Sequence, residues 1–230
     1  MKNVVSLMKN EIQNYMKNPS ILALVFLPIF MSKIITKSME LSGQDIFLLS
    51  IWILFAQVMV GIMLTGPNLI EEREAKTIDA LLCSPLSFGQ IICAKGIAIL
   101  ILSMFSQICV YLINEGFQPE LLLLLIPMFL GGILFILIGT VIGLKVKSSQ
   151  SGSAVSAFVM VVLFLIVSVY QLLPKWSYKF VLLIPSISVT EVINELMSVK
   201  GLLLYQSSIV ITWLFLFCIV ISLIGRKWTH

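Results

Sequence analysis

Few residues in this chain have the types and spacing needed for chemistry, and what they exclude is informative. The one histidine, His230, is the last residue, so no Ser-His or Cys-His pair can supply a nucleophile with its base. No G-x-x-x-x-G-K-[ST] run occurs, so the chain cannot hold ATP phosphates in the P-loop manner. Cys83, Cys93, Cys109 and Cys218 contain no C-x-x-C pair and lie in or beside apolar segments. They read as small apolar residues, not as a disulfide framework or a zinc site. Glu191 and Glu195 stand four apart, as a metal-binding or acid pair would, but no histidine or further carboxylate accompanies them. A solvated helix face is expected there. Lys33 is nearly alone as an ionisable residue inside an apolar stretch, which disfavours a proton or ion relay. It is expected to snorkel toward headgroups, or else to face the exit of a pathway.

The polar residues that remain concentrate in one segment, E-E-R-E-A-K-T-I-D-A-L-L-C-S-P-L-S-F-G-Q-I-I-C-A-K, from Glu71 to Lys95. Glu71 to Glu74 are expected to continue the preceding helix beyond the membrane. Thr77 suits the N-cap of a new short helix with Asp79 in its positively polarised first turn. Ile78, Leu81 and Leu82 give that helix an apolar side, and Ser84 with Pro85 stops it. Ser87 and Gln90 have the S-x-x-Q spacing of a capping box that opens the next helix.

The elements that must position this segment follow from composition. Hydrophobic residues make up 59% of the 230 and charged residues only 11%, against about 25% charged in an ordinary soluble domain. The apolar residues fall into blocks of about 20, the length a helix needs to cross a hydrocarbon core about 30 Å thick. The expected fold is therefore all-α and integral to the membrane, a single domain over 1–230 with six spans: about 21–36, 46–66, 90–113, 121–144, 154–173 and 202–225. Residues 67–89 form the loop between the second and third spans, and 174–201 an outer connection with a helical, amphipathic stretch from Ser186 to Ser198. Residues 1–18 place Val4, Val5, Met8, Ile12, Tyr15 and Met16 at helical spacing among lysines, asparagines and a glutamine, the pattern of a helix lying on the membrane surface. They lack the continuous apolar core of a cleavable signal peptide.

If the N-terminus is cytoplasmic, ten of the fifteen lysines and arginines fall on the inner side, which favours both termini inside a multi-pass protein of the cell membrane. Gly139 and Gly143 have the G-x-x-x-G spacing that lets helices approach closely, expected within the subunit more than between subunits. Gln57, Ser103, Ser106 and Gln107 either line a polar path or make interhelical hydrogen bonds.

The order of residues in the Glu71–Lys95 segment resembles the signature of the ABC transporter type-2 permease family. There an E-R-E element is followed by G-T-L-E, a leucine pair, a T-P turn and a G-K that begins the third span. The matching residues are Glu72, Arg73, Glu74, Thr77, Leu81, Leu82, Pro85 and Lys95, while Lys76 replaces the glycine, Asp79 the glutamate, Ser84 the threonine and Ala94 the second glycine. The resemblance implies a permease subunit of a bacterial exporter, not itself an enzyme and with no cofactor of its own. ATP and Mg would be bound by a separate cytoplasmic ATPase. It further implies a second permease chain, as homodimer or paralogous heterodimer, and a coupling helix at Thr77–Ser84 that docks on the ATPase. Glu72, Arg73, Glu74 and Lys95 would then make charged contacts at the membrane edge. The lipid bilayer is an expected partner and nucleic acid is not. The aliphatic spans suit an amphipathic cargo such as a peptide, drug or lipid-linked molecule. From the residues alone, a membrane scaffold, immunity factor or channel subunit without an ATPase stays open.

Overall fold

The computed structural model describes residues 2–39, 45–78, 86–174, 178–198 and 204–225. Their order is α1 (Lys2–Lys17), α2 (Pro19–Met39), α3 (Asp45–Glu74), α4 (Phe88–Glu115), α5 (Glu120–Lys145), α6 (Ser149–Val169) with a 3-10 turn at Tyr170–Leu172, α7 (Tyr178–Val181), α8 (Pro185–Met197) and α9 (Leu204–Gly225). Six of these, α2 to α6 and α9, are apolar helices long enough to cross a bilayer, with spans of 20 to 29 residues. The chain is thus an all-α, multi-pass membrane protein, as its hydrophobic blocks require.

Local sequence accounts for where the helices start and bend. Asn18 separates α1 from α2, and its side-chain oxygen accepts the Ser20 N–H at 3.0 Å. Pro19 takes the first helical position, where its missing N–H costs nothing. The first span accordingly begins two residues earlier than its apolar run. The second span is longer than its apolar block because Glu71 to Glu74 extend α3 past the hydrophobic core. The expected capping box is present, with Ser87 and Gln90 exchanging side-chain and backbone bonds at the start of α4.

Helix α3 is the centre of the bundle. It packs against α2, α4, α5, α6 and α8, and 72% of its apolar window is buried, against 17% for α6 and for α9. Its closest neighbour is α5, and small residues make that closeness possible. A Cβ on Gly139 would lie 2.9 Å from the Gly61 carbonyl oxygen, and one on Gly143 would meet Leu69 Cβ at 2.9 Å and the Gly66 carbonyl oxygen at 3.1 Å. The G-x-x-x-G pair therefore serves packing within the subunit. In the middle of the bundle Gln57 Nε2 donates to Gln107 Oε1 at 2.9 Å, Gln107 Nε2 to Ser103 Oγ at 3.0 Å, and Ser106 Oγ to the Val25 carbonyl at 2.8 Å. All four side chains are fully buried. Gln57, Gln107 and Ser106 thus make interhelical hydrogen bonds, while Ser103 bonds Gln107 within α4.

One expectation at the far end of the bundle, where α3 begins, needs correction. Helix α8 is packed among α3, α5, α6 and α9, so Glu191 is 5% exposed and does not stand on a solvated face. Glu195, one turn on, is half-buried. Lys33 donates to the Ile113 carbonyl at 2.8 Å, a cation on the last turn of α4, which ties α2 to α4.

Overpacking a backbone-to-side-chain contact costs about 1–3 kcal/mol. Gly143→Ala is therefore expected to lower unfolding stability in bicelles by that amount. Gly89→Ala, whose added methyl meets nothing within 4 Å, is expected to be near neutral by the same denaturation assay.

Candidate functional site

The segment singled out from sequence begins where α3 ends, and the polar run there is arranged residue by residue. Glu72 and Lys95 face each other across the neck of the loop, on the last turn of α3 and the second turn of α4. Lys95 Nζ lies 2.6 Å from Glu72 Oε1 and 2.5 Å from Glu11 Oε1. The lysine and Glu11 side chains are only 9% and 10% exposed, and Glu72 is 24% exposed. One ammonium thus joins three helices: α1 through Glu11, α3 through Glu72 and α4 through itself.

Around this knot α1 is fixed by apolar contact. Tyr15 is buried with Ile21, Val25, Ile99 and Leu102, and Met8 and Ile12 pack on the same cluster. Burial foremost, then the Glu11 and Glu72 charges, holds the Tyr15 hydroxyl well above the usual tyrosine range. It therefore stays neutral.

The next two residues of α3 turn to the other side of the bundle. Arg73 Nη1 donates to the Gly143 carbonyl at 2.7 Å and the Val146 carbonyl at 3.0 Å. It places a cation on the C-terminal carbonyls of α5, where both the free acceptors and the helix dipole favour it. Glu74 Oε1 accepts the Ser149 N–H at 3.0 Å, an anion at the N-terminus of α6, favoured for the mirror-image reason. Ser148 caps the same helix from its side chain. The E-R-E run is therefore a clamp: Glu72 holds α4 at Lys95, which in turn holds α1 through Glu11, Arg73 holds the end of α5, and Glu74 the start of α6.

Past Glu74 the chain turns sharply. The Ala75 N–H bonds the Glu71 carbonyl and the Lys76 N–H the Arg73 carbonyl, at 2.9 and 3.1 Å. Lys76 has φ +55, the left-handed conformation that commonly ends a helix and normally falls to glycine. Thr77, expected as an N-cap, donates its hydroxyl backward to the Glu72 carbonyl at 3.0 Å. Its observed bond closes the helix it follows, and Thr77 and Ile78 already belong to the next helical turn. Asp79, Leu81, Leu82 and Pro85, with the rest of the helix expected from Thr77 to Ser84, lie outside the described residues.

The structure therefore brings Glu72 and Lys95 together, places Arg73 and Glu74 one step away, and adds Glu11, which sequence reasoning passed over. A signal for Glu11 existed: at helical spacing between Met8 and Tyr15 it falls on the apolar stripe of α1, where a lone carboxylate requires a buried partner.

With this geometry in view, similarity to known proteins is informative. Residues 1–227 match the family described as ABC-2 family transporter protein. Over 81 residues the chain is 31% identical to a fluoroquinolones export permease protein of Mycobacterium tuberculosis strain H37Rv, covering 35% of this chain and 34% of that one. The corresponding protein of strain CDC 1551 matches with the same identity and coverage. The match thus spans about a third of the length of these relatives.

Removing one member of a buried ion pair leaves the other charge uncompensated, at a cost of about 3–5 kcal/mol. Lys95→Met strands two carboxylates and is expected to destabilise the protein by about that amount in a bicelle denaturation assay. The further change of Glu11 and Glu72 to glutamine in the same chain is expected to restore most of the loss.

Proposed function

This chain belongs to the ABC-2 family transporter proteins and is a transport permease of the membrane, and on that premise we propose that it is the transmembrane subunit of an ATP-driven exporter. Its ATPase is a separate cytoplasmic subunit, which binds ATP and Mg. The loop from Glu71 to Lys95 is the element through which the two communicate, with both termini of the chain on the same, cytoplasmic side.

The observation that carries this proposal is the ionic clamp at the neck of the loop. A force applied to a floppy loop is dissipated, whereas a short helix on two rigid tethers passes its motion to whatever the tethers hold. Here the tethers are the end of α3 and the start of α4, joined by Glu72 and Lys95 and continued to α1 by Glu11. Arg73 and Glu74 extend the same block to α5 and α6. Displacement of the loop would then move the loop end of the bundle as a unit. In this scheme Thr77, Asp79, Leu81, Leu82 and Pro85 make or shape the contact with the ATPase. Glu72, Arg73, Glu74 and Lys95 transmit the movement instead of touching the partner.

A second permease chain, identical or paralogous, completes the pathway, and the exposed apolar faces of the outer helices are available to lipid or to that chain. Export of an amphipathic, drug-like cargo is consistent with the named role of the Mycobacterium tuberculosis relatives. ATP closure of the ATPase pair would switch access of the central cavity from one side of the membrane to the other.

Leu81→Asp together with Leu82→Asp places charge on the apolar side of the loop helix. In membranes co-expressing a candidate partner ATPase that co-purifies with the unaltered chain, the double variant is expected to lose co-purification of that ATPase by more than about tenfold, on the scale of a lost apolar anchor. Undiminished co-purification and ATP hydrolysis would remove the loop from the interface, and absence of any complex with the unaltered chain would favour a membrane protein that works without an ATPase.

A further inference from the structure

At the far end of the bundle a second buried carboxylate sits in very different surroundings from Glu11 and Glu72. Glu191 on α8 is 5% exposed, and its Oε1 accepts the hydroxyl of Tyr170. Among the described residues no lysine or arginine is paired with it, since both ion pairs there belong to Lys95. A desolvated carboxylate facing only neutral hydroxyls is costly, and a cation offsets that cost.

The surroundings say which kind of cation. Glu191 borders a cavity of about 550 Å³ together with Tyr170, Gln171, Leu173 and Tyr178, within the range of about 300–1,000 Å³ common for small-molecule sites. The rings of Tyr170 and Tyr178 stack with centroids 6.4 Å apart, and Phe47 backs Tyr170 at 5.9 Å. Burial first, then the Glu191 charge, holds the Tyr178 hydroxyl above the ordinary tyrosine range, so it remains a neutral donor. A hard metal ion asks for six or more oxygen ligands, whereas this lining offers one carboxylate among aromatic faces. That combination recognises an alkylammonium, which takes its counter-charge from the acid and cation–π attraction from the rings.

We propose that Glu191, Tyr170 and Tyr178 form a recognition site for an organic ammonium group at the end of the bundle opposite the Glu71–Lys95 loop. The carboxylate supplies the charge, Tyr170 orients it through the hydroxyl bond, and Tyr178, 38% exposed, presents its ring at the cavity mouth. The ammonium can come from a small amine or from an aminated lipid headgroup. The site is defined by binding alone, so its failure would leave the ATPase-coupled permease untouched.

The test uses the full chain in phosphatidylglycerol nanodiscs, titrated calorimetrically with choline and with its uncharged carbon isostere, dimethylbutanol. Choline is expected to bind and dimethylbutanol to bind at least about tenfold more weakly, with Glu191→Gln reducing choline affinity by a similar factor and Glu195→Gln leaving it unchanged. Glutamine keeps the shape and the Tyr170 hydrogen bond of a protonated acid, so undiminished choline binding by Glu191→Gln would overturn the proposal, as would equal binding of the two probes. Should Glu191→Gln fail to fold, Tyr178→Ala carries the test: a several-fold loss of choline affinity supports the site and no loss overturns it. Adding phosphatidylethanolamine to the nanodiscs separates the sources. Competition with choline that depends on Glu191 assigns the site to a lipid headgroup, and no competition assigns it to a free amine; both support the ammonium chemistry.

Discussion

A lysine ammonium can be carried below the surface of a protein only if carboxylates meet it there, and Lys95 meets two. Each comes from a different helix, so the requirement that all three charges be satisfied together fixes α1, α3 and α4 relative to one another at the loop end. A displacement of any of the three would leave an unpaired charge in a poorly solvated place. Apolar packing of Tyr15, Met8 and Ile12 favours the same position for α1 but, being non-directional, does not specify it so sharply.

From that knot outward, α3 organises the bundle by two means. At its end, charges are matched to helix dipoles, Arg73 to the carbonyl end of α5 and Glu74 to the amide end of α6. Along its length, Gly61 and Gly66 face Gly139 and Gly143 of α5 so closely that backbone touches backbone. The buried Gln57–Gln107–Ser103 chain adds direction to otherwise apolar packing between α3 and α4. Of the six spans, α6 and α9 have the smallest buried share, 17% each.

How much of this could be read from the residues depended on the range of the interaction. Bilayer thickness alone gives six spans, and short-range chemistry gives the capping box at Ser87 and Gln90, the extension of α3 through Glu71–Glu74 and the close approach at Gly139 and Gly143. Glu11 was not legible in this way, because its partner lies 84 residues away and only the three-dimensional packing of α1 joins them. The amphipathic pattern of α8 points Glu191 to a solvated face; packing of α8 among α3, α5, α6 and α9 buries it instead, with the Tyr170 hydroxyl on its carboxylate. Lys76 is a middle case: it departs from the family's glycine, yet the backbone there has φ +55, the conformation that makes glycine the usual choice, so the turn is kept with a less suitable residue.

The central claim, that the Lys95 knot and not apolar contact alone fixes α1 to the neck of the loop, is tested most directly by a distance. Spin labels at Lys9→Cys on the exposed side of α1 and Gly89→Cys at the start of α4, in a chain otherwise free of cysteine, would be measured by pulsed electron resonance in nanodiscs. One narrow distance distribution is expected with Lys95 present and a broad, longer one with Lys95→Met; a distribution unchanged by that substitution would contradict the account.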